Sequence, residues 1–228
     1  MSNEWLTDNI ITVAQKLMLQ HYPHMSGLQP PVLQETLSFQ VHREEFVQIL
    51  NIHNYHWCVV TNIGCKDGVV NVYDSLYASV SNVTARVIAS LLFCSAPRLT
   101  IRMMDVEEQK NGADCGVLSI AYAYDICSGM DPRKVIYDHM SIRNHLAKCL
   151  EECKFSRFPV LRERKSNDVK NVQEIDLHCT CRLPEEKGVD MAECESCGVW
   201  FHRHCEDIPA EVFARSNVHW ICKACTQS

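Results

Sequence analysis

A chain of 228 residues, 46% apolar and 22% charged, has material for one ordinary domain plus one small one. No run of 18 apolar residues occurs, so a membrane-crossing helix is excluded. The net charge of -6 argues against general nucleic-acid binding, which needs a basic face to release counterions, and suits basic partners instead.

Taken in order, residues 1 to 155 read as one unit of mixed helices and strands. Thr7 to Gln20 carries Ile10, Ile11, Ala14, Leu17 and Met18 at the spacing of one helical face, which predicts an amphipathic helix. Phe46 to Leu50, His56 to Ile63 and Val69 to Tyr73 read as strands, the last two joined at a Lys66-Asp67-Gly68 turn into a hairpin. Val83 to Phe93 reads as a helix and Leu99 to Met104 as a strand. Val117 to Ile126 is apolar all round, so it reads as a buried helix. Asp131-Pro132 offers a cap and a first-turn proline, and Val135, Ile142, Leu146 and Leu150 extend the expected helix to about residue 153. From 156 to 176, charge and a proline replace the pattern, and the stretch reads as a linker. Its basic residues, Arg157, Arg162, Arg164, Lys165 and Lys170, read as a solvated surface, with a nuclear-entry signal as the alternative.

Chemistry in the first unit centres on Cys115, where a loop enters the buried helix. Unpaired amides and the helix dipole favour a thiolate at that position. Such a nucleophile needs an imidazole to take its proton and a third group to hold the imidazole. His56 opens one strand of the hairpin and Asp74 closes the other, so the fold would bring them together. His53 competes for the role of base.

The order of these residues resembles the SUMO-protease family, the deconjugating cysteine proteases of ubiquitin-like modifiers. The resemblance rests on His56-Trp57, Tyr73-Asp74-Ser75, Gln109 six residues before the cysteine, Asn111-Gly112-Ala113-Asp114-Cys115-Gly116, and Trp5-Leu6-Thr7-Asp8 with Ile10-Ile11. It implies a papain-like, adenain-type fold of α+β class. It also implies His56 as general base, Asp74 as its orienting partner, Cys115 as nucleophile and Gln109 as an oxyanion donor, with no catalytic cofactor. Trp5 and Trp57 would form a slot admitting only a Gly-Gly tail. The unit is shorter than the family's usual core, which leaves the modifier open. A polyprotein-processing protease of a virus or mobile element and a non-catalytic adaptor are the alternatives.

Residues 177 to 228 carry Cys179-x-Cys181, Cys194-x2-Cys197, His202-x2-Cys205 and Cys222-x2-Cys225, paired spacings that suit zinc. With Trp200-Phe201 before the histidine and Trp220 before the last pair, the segment resembles a PHD finger. That resemblance implies two structural zinc ions in a cross-brace, one on Cys179, Cys181, His202 and Cys205, the other on Cys194, Cys197, Cys222 and Cys225. Seven of the fourteen cysteines are thereby assigned to zinc. A disulfide framework is not expected, because residues 1 to 25 carry no apolar signal segment. Zinc and free thiols point to a reducing compartment, the nucleus, with the cytoplasm as alternative. His178, Met191, Glu195 and Trp200 fall at the positions where such fingers cage a methylated histone tail. The segment holds eight acidic and five basic residues, which suits a basic tail. A plain structural or docking finger is the other reading.

Overall fold

The computed structural model describes residues 4–52, 55–214 and 218–227; His53 lies outside them. Helix α1 (Asp8–His21) buries Ile11, Ala14, Leu17 and Met18, the face that the periodicity anticipates. The chain continues through β1 (Ser26–Gly27), β2 (Phe46–Ile52), β3 (His56–Thr61), β4 (Val69–Tyr73), α2 (Asn82–Leu91) and β5 (Arg98–Met104). Then come α3 (Cys115–Cys127), β6 (Val135–Tyr137), α4 (Ile142–Glu151), β7 (Val160–Glu163) and β8 (Val169–Asp176). The C-terminal segment adds β9 (Met191–Glu193), β10 (Trp200–His202), α5 (Arg203–Glu206), α6 (Ala210–Ala214) and α7 (Lys223–Thr226).

Six strands form the central sheet in the order β1-β2-β3-β4-β5-β8. Strands β2, β3 and β4 run antiparallel, β4 and β5 parallel, and β8 antiparallel to β5. Both faces are covered, which is why β2 and β3 are apolar almost throughout rather than alternating. Val47, Ile49, Trp57 and Val59 pack against α1 and α3, whereas Phe46, Leu50, Cys58 and Val60 pack against α2. Full burial of each large apolar side chain contributes about 1.5–3 kcal/mol. Every residue of α3 is buried, as an apolar helix must be. Gly68, at φ +75, closes the turn between β3 and β4 in a left-handed conformation, and a Cβ there would meet Arg98 O at 2.7 Å.

Two expectations are corrected. The helix expected from Asp131 begins only at Ile142, because Val135-Ile136-Tyr137 is β-branched and aromatic and pairs with β7 as β6. The expected linker, 156 to 176, contains β7 and β8. An edge strand needs apolar residues on one face only, so the charges of β8 mark its solvent face rather than disorder. Phe158, 1% exposed, packs on Tyr124 of α3.

The C-terminal segment is docked on the sheet. Leu177 is buried in the cluster beneath α2, with Leu183 packed against it. Leu177 N donates to Pro97 O at 2.9 Å, and Arg182 donates to Ala96 O. From α2, Arg86 donates to Pro184 O and pairs with Glu186 at 2.7 Å.

Candidate functional site

At one end of the sheet, β3 and β4 deliver His56 and Asp74, while α3 delivers Cys115. His56 Nε2 lies 2.8 Å from Asp74 Oδ1, with both side chains buried. The same oxygen accepts Leu76 N at 2.7 Å and Tyr77 N at 2.8 Å, so the carboxylate is fixed by the chain turning away from β4. With Nε2 committed to Asp74, the ring's Nδ1 is the nitrogen left to serve a nucleophile. Burial alone would lower the His56 pKa, but hydrogen bonding to Asp74 and the neighbouring Cys115 sulfur outweigh it and raise it to about 9. Tyr77 packs edge-on against the His56 ring, with centroids 5.0 Å apart.

Cys115 is the first residue of α3 and is 1% exposed. The following Gly116 permits close packing, since a Cβ there would lie 3.0 Å from Leu6 and 3.1 Å from Trp57. Gln109 is held by Ser75, whose Oγ donates to Oε1 at 2.8 Å, while Nε2 donates to Asn111 O at 2.6 Å.

Two hollows of about 400 and 340 Å³ flank this cluster. The first is lined by Leu6, Asn51 and Trp57 among others, the second by His56, Leu76 and Gln109. Trp5 and Tyr55 line both, stacked at a centroid distance of 6.4 Å across the groove. Spaces of this size suit an extended tail rather than a folded domain. Of the two expected slot residues, Trp5 is exposed, with Nε1 donating to Gly112 O at 2.6 Å. Trp57 is buried and donates to Leu6 O at 3.0 Å, so Tyr55 rather than Trp57 stacks on Trp5.

In the C-terminal segment the donor atoms of Cys179, Cys181, His202 and Cys205 all lie within 4.8 Å of one another, as do those of Cys194, Cys197, Cys222 and Cys225. Cys181 Sγ and His202 Nδ1 are 3.4 Å apart. These separations fit tetrahedral zinc with bonds of about 2.0 to 2.3 Å. The interleaved sets are those that the sequence resemblance assigns. Residues 179–225 match the family model for the PHD finger. This segment is a PHD finger. Its two donor sets fit two structural zinc ions, and three of those ligands, Cys179, Cys194 and Cys222, share its small buried core with Ala192, Phe201 and Ile208.

The rest of the chain is similar to solved structures of the SUMO protease Ulp1. One, with its catalytic cysteine oxidised to a sulfonic acid, aligns at a TM-score of 0.50 and 15% identity over 66% of this chain and 80% of that one. Another is the C-terminal Ulp1 protease domain in complex with Smt3, the yeast orthologue of SUMO, at a TM-score of 0.51 and 15% identity over 67% and 79%. The unit before the PHD finger therefore has the Ulp1-type protease fold. No curated protein matches the chain by sequence.

Within the PHD finger, β9 and β10 pair so that Trp200 stands opposite Glu193 and His202 opposite Met191, which puts Met191 and Trp200 on one face. His178 instead lines a cleft with Asp67, Arg98, Asp176 and Val199 between the finger and the sheet. Glu195 is engaged by His219 Nδ1 at 2.6 Å.

Several residues around the site escape sequence reasoning. Ser75 and Asn111 stand within the quoted motifs but their hold on Gln109 is not legible there, and Tyr55 adjoins the His56-Trp57 motif. Glu107, His139 and Arg143 were not accessible to sequence reasoning, because only the fold carries β6 and α4 back beneath the Cys115 loop.

Proposed function

We propose that the chain is a thiol isopeptidase that cleaves after the Gly-Gly tail of a SUMO-like modifier. The observation that carries the proposal is the His56-Asp74 pair set against Cys115 at the start of a buried helix, in a groove bridged by Trp5. Cys115 would act as the nucleophile beside His56, whose raised pKa keeps its imidazole protonated near neutral pH. The thiolate attacks the terminal glycine carbonyl, forming the C–S bond while the carbonyl electrons move onto oxygen. The Cys115 N–H and a Gln109 Nε2 hydrogen would receive that oxyanion, a single such donor being worth about 10² to 10³ in rate. Collapse expels the lysine amine, which takes its proton from His56. Water, deprotonated by His56, then hydrolyses the thioester and regenerates Cys115.

Glycine selectivity would follow from exclusion. Any side chain beyond hydrogen on the tail meets the Trp5-Tyr55 bridge above or the packed Trp57 below. The test is incubation with SUMO, ubiquitin and NEDD8 precursors carrying short C-terminal extensions. Cleavage leaving a Gly-Gly end on at least one supports the reading, and intact precursors throughout refute it.

The PHD finger would act as the address, binding a basic histone tail in the nucleus. Among the described residues no strand pairs with the outer edge of β9. That edge would accept a tail strand, with Met191 and Trp200 alongside to contact a methylated lysine by cation-π attraction of roughly 0.5 to 2 kcal/mol per ring. Titration with histone-tail peptides with and without trimethyl-lysine tests this, and no binding to either form would refute it.

A further inference from the structure

A buried charge cluster adjoins Cys115 without taking part in the proposed chemistry. Asp114, the residue before the nucleophile, accepts Arg143 Nε at 2.7 Å through Oδ1 and Asn111 Nδ2 at 2.6 Å through Oδ2. The same guanidinium donates through Nη2 to Ala113 O at 2.6 Å and through Nη1 to Glu4 O at 2.9 Å. Beside that last contact, Trp5 Nε1 donates to Gly112 O. His139 closes the cluster, with Nε2 at 2.9 Å from Glu107 Oε1 and Nδ1 at 3.5 Å from Asp114 Oδ2. The side chains of Arg143 and Asp114 are 10% and 2% exposed.

From this we infer that Arg143 is a positioning residue, which holds the segment bearing Trp5 and the loop delivering Cys115 together as one unit. The inference rests on the isopeptidase reading for its catalytic consequence, but the clamp itself is a statement about two chain segments. Three features favour it. A planar guanidinium can donate to three acceptors in fixed directions, whereas an ammonium presents a compact point charge that cannot span them. A buried ion pair is a weak source of stability compared with apolar packing, so its placement between roof and nucleophile calls for a reason beyond stability. The contacts also reach the backbone on both sides, since Glu4 O directly precedes Trp5 and Ala113 O lies two residues before Cys115.

Arg143→Lys separates geometry from charge, because it keeps the cation and loses the fork. Three readouts apply: amide hydrogen exchange across residues 4–12 and 110–118, alkylation of Cys115 by iodoacetamide, and turnover of a precursor that the wild type cuts. The expected result is faster exchange in both segments together and unchanged alkylation. With these, kcat should fall about 10²-fold with little change in KM, the scale of a small misplacement of reacting groups. Exchange that changes only within α4, or turnover equal to wild type, overturns the inference. Should the lysine variant fail to fold, Arg143→Gln is read by the same exchange measurement. If wild-type protein cuts no precursor, the isopeptidase reading fails by itself, and the exchange result alone then decides whether the clamp exists.

Discussion

Asp74 Oδ1 accepts three hydrogen bonds at once, from His56 Nε2 and from the backbone amides of Leu76 and Tyr77. A carboxylate so held cannot turn away from the imidazole. The β3-β4 hairpin and the bend after Tyr73 therefore fix the ring before any substrate arrives. That preorganisation makes His56 a strong base for its depth of burial.

The first prediction follows from the sign of that shift. A His56 pKa raised from 6.5 to about 9 means the imidazolium persists at neutral pH. Its contribution to stability is fully present below about 6.5 and is lost as pH rises through about 9. Turnover should fall above about pH 9 for the same reason, as the proton destined for the leaving amine is lost. Asp74→Asn removes the main group raising the pKa and favours the wrong tautomer. It should lower kcat by on the order of 10² to 10⁴-fold and move the alkaline limb to lower pH. A pH-rate profile of both proteins checks this, and an unmoved limb would count against the triad.

Trp5 and Tyr55 bridge the groove, so removing one side should relax selection against side chains on the tail. With Trp5→Ala, a modifier ending in Gly-Ala should gain on one ending in Gly-Gly by roughly tenfold or more in relative kcat/KM, the worth of admitting one methyl group. Competition between the two tails measures it. An unchanged ratio would show that exclusion lies elsewhere in the groove.

Metal removal should reach beyond the PHD finger. Zinc binding in such small modules supplies roughly 10 to 16 kcal/mol of folding free energy, so chelation should unfold the finger. Leu177 would then leave its apolar cluster, Arg86 would lose Pro184 O and Glu186, and Ala96 O would lose Arg182. Uncovering Leu177 alone is worth about 1.5–3 kcal/mol. The expected outcome is release of two zinc ions per chain with a lower Tm for the protease fold. A Tm indifferent to chelator would mean that the interface contributes nothing to stability.

Much of this was legible in the sequence where chemistry is local. Ligand spacing picked out the paired cysteines and the histidine, the resemblance to a PHD finger implied their interleaving, and apolar periodicity located α1 and α3. The motif residues His56, Asp74, Gln109 and Cys115 do converge at one end of the sheet. What failed was long-range pairing. Val135 to Tyr137 looked helical because its partner, Val160 to Glu163, lies more than twenty residues away. Strand β8 looked like a linker because an edge strand buries too little to outweigh its charges. The Arg143 contacts with Glu4 and Asp114 were invisible for the same reason, since they join positions remote in the chain. Tyr55 was overlooked although it precedes His56, because Trp57 offered the more obvious aromatic wall.

The most direct test is to treat the wild type and Cys115→Ala with SUMO, ubiquitin and NEDD8 probes bearing an electrophile in place of the terminal glycine carboxylate. The predicted result is a covalent adduct with at least one probe, mapped by mass spectrometry to Cys115 and absent from the variant. No adduct with any probe, or an adduct that persists in Cys115→Ala, would contradict the account.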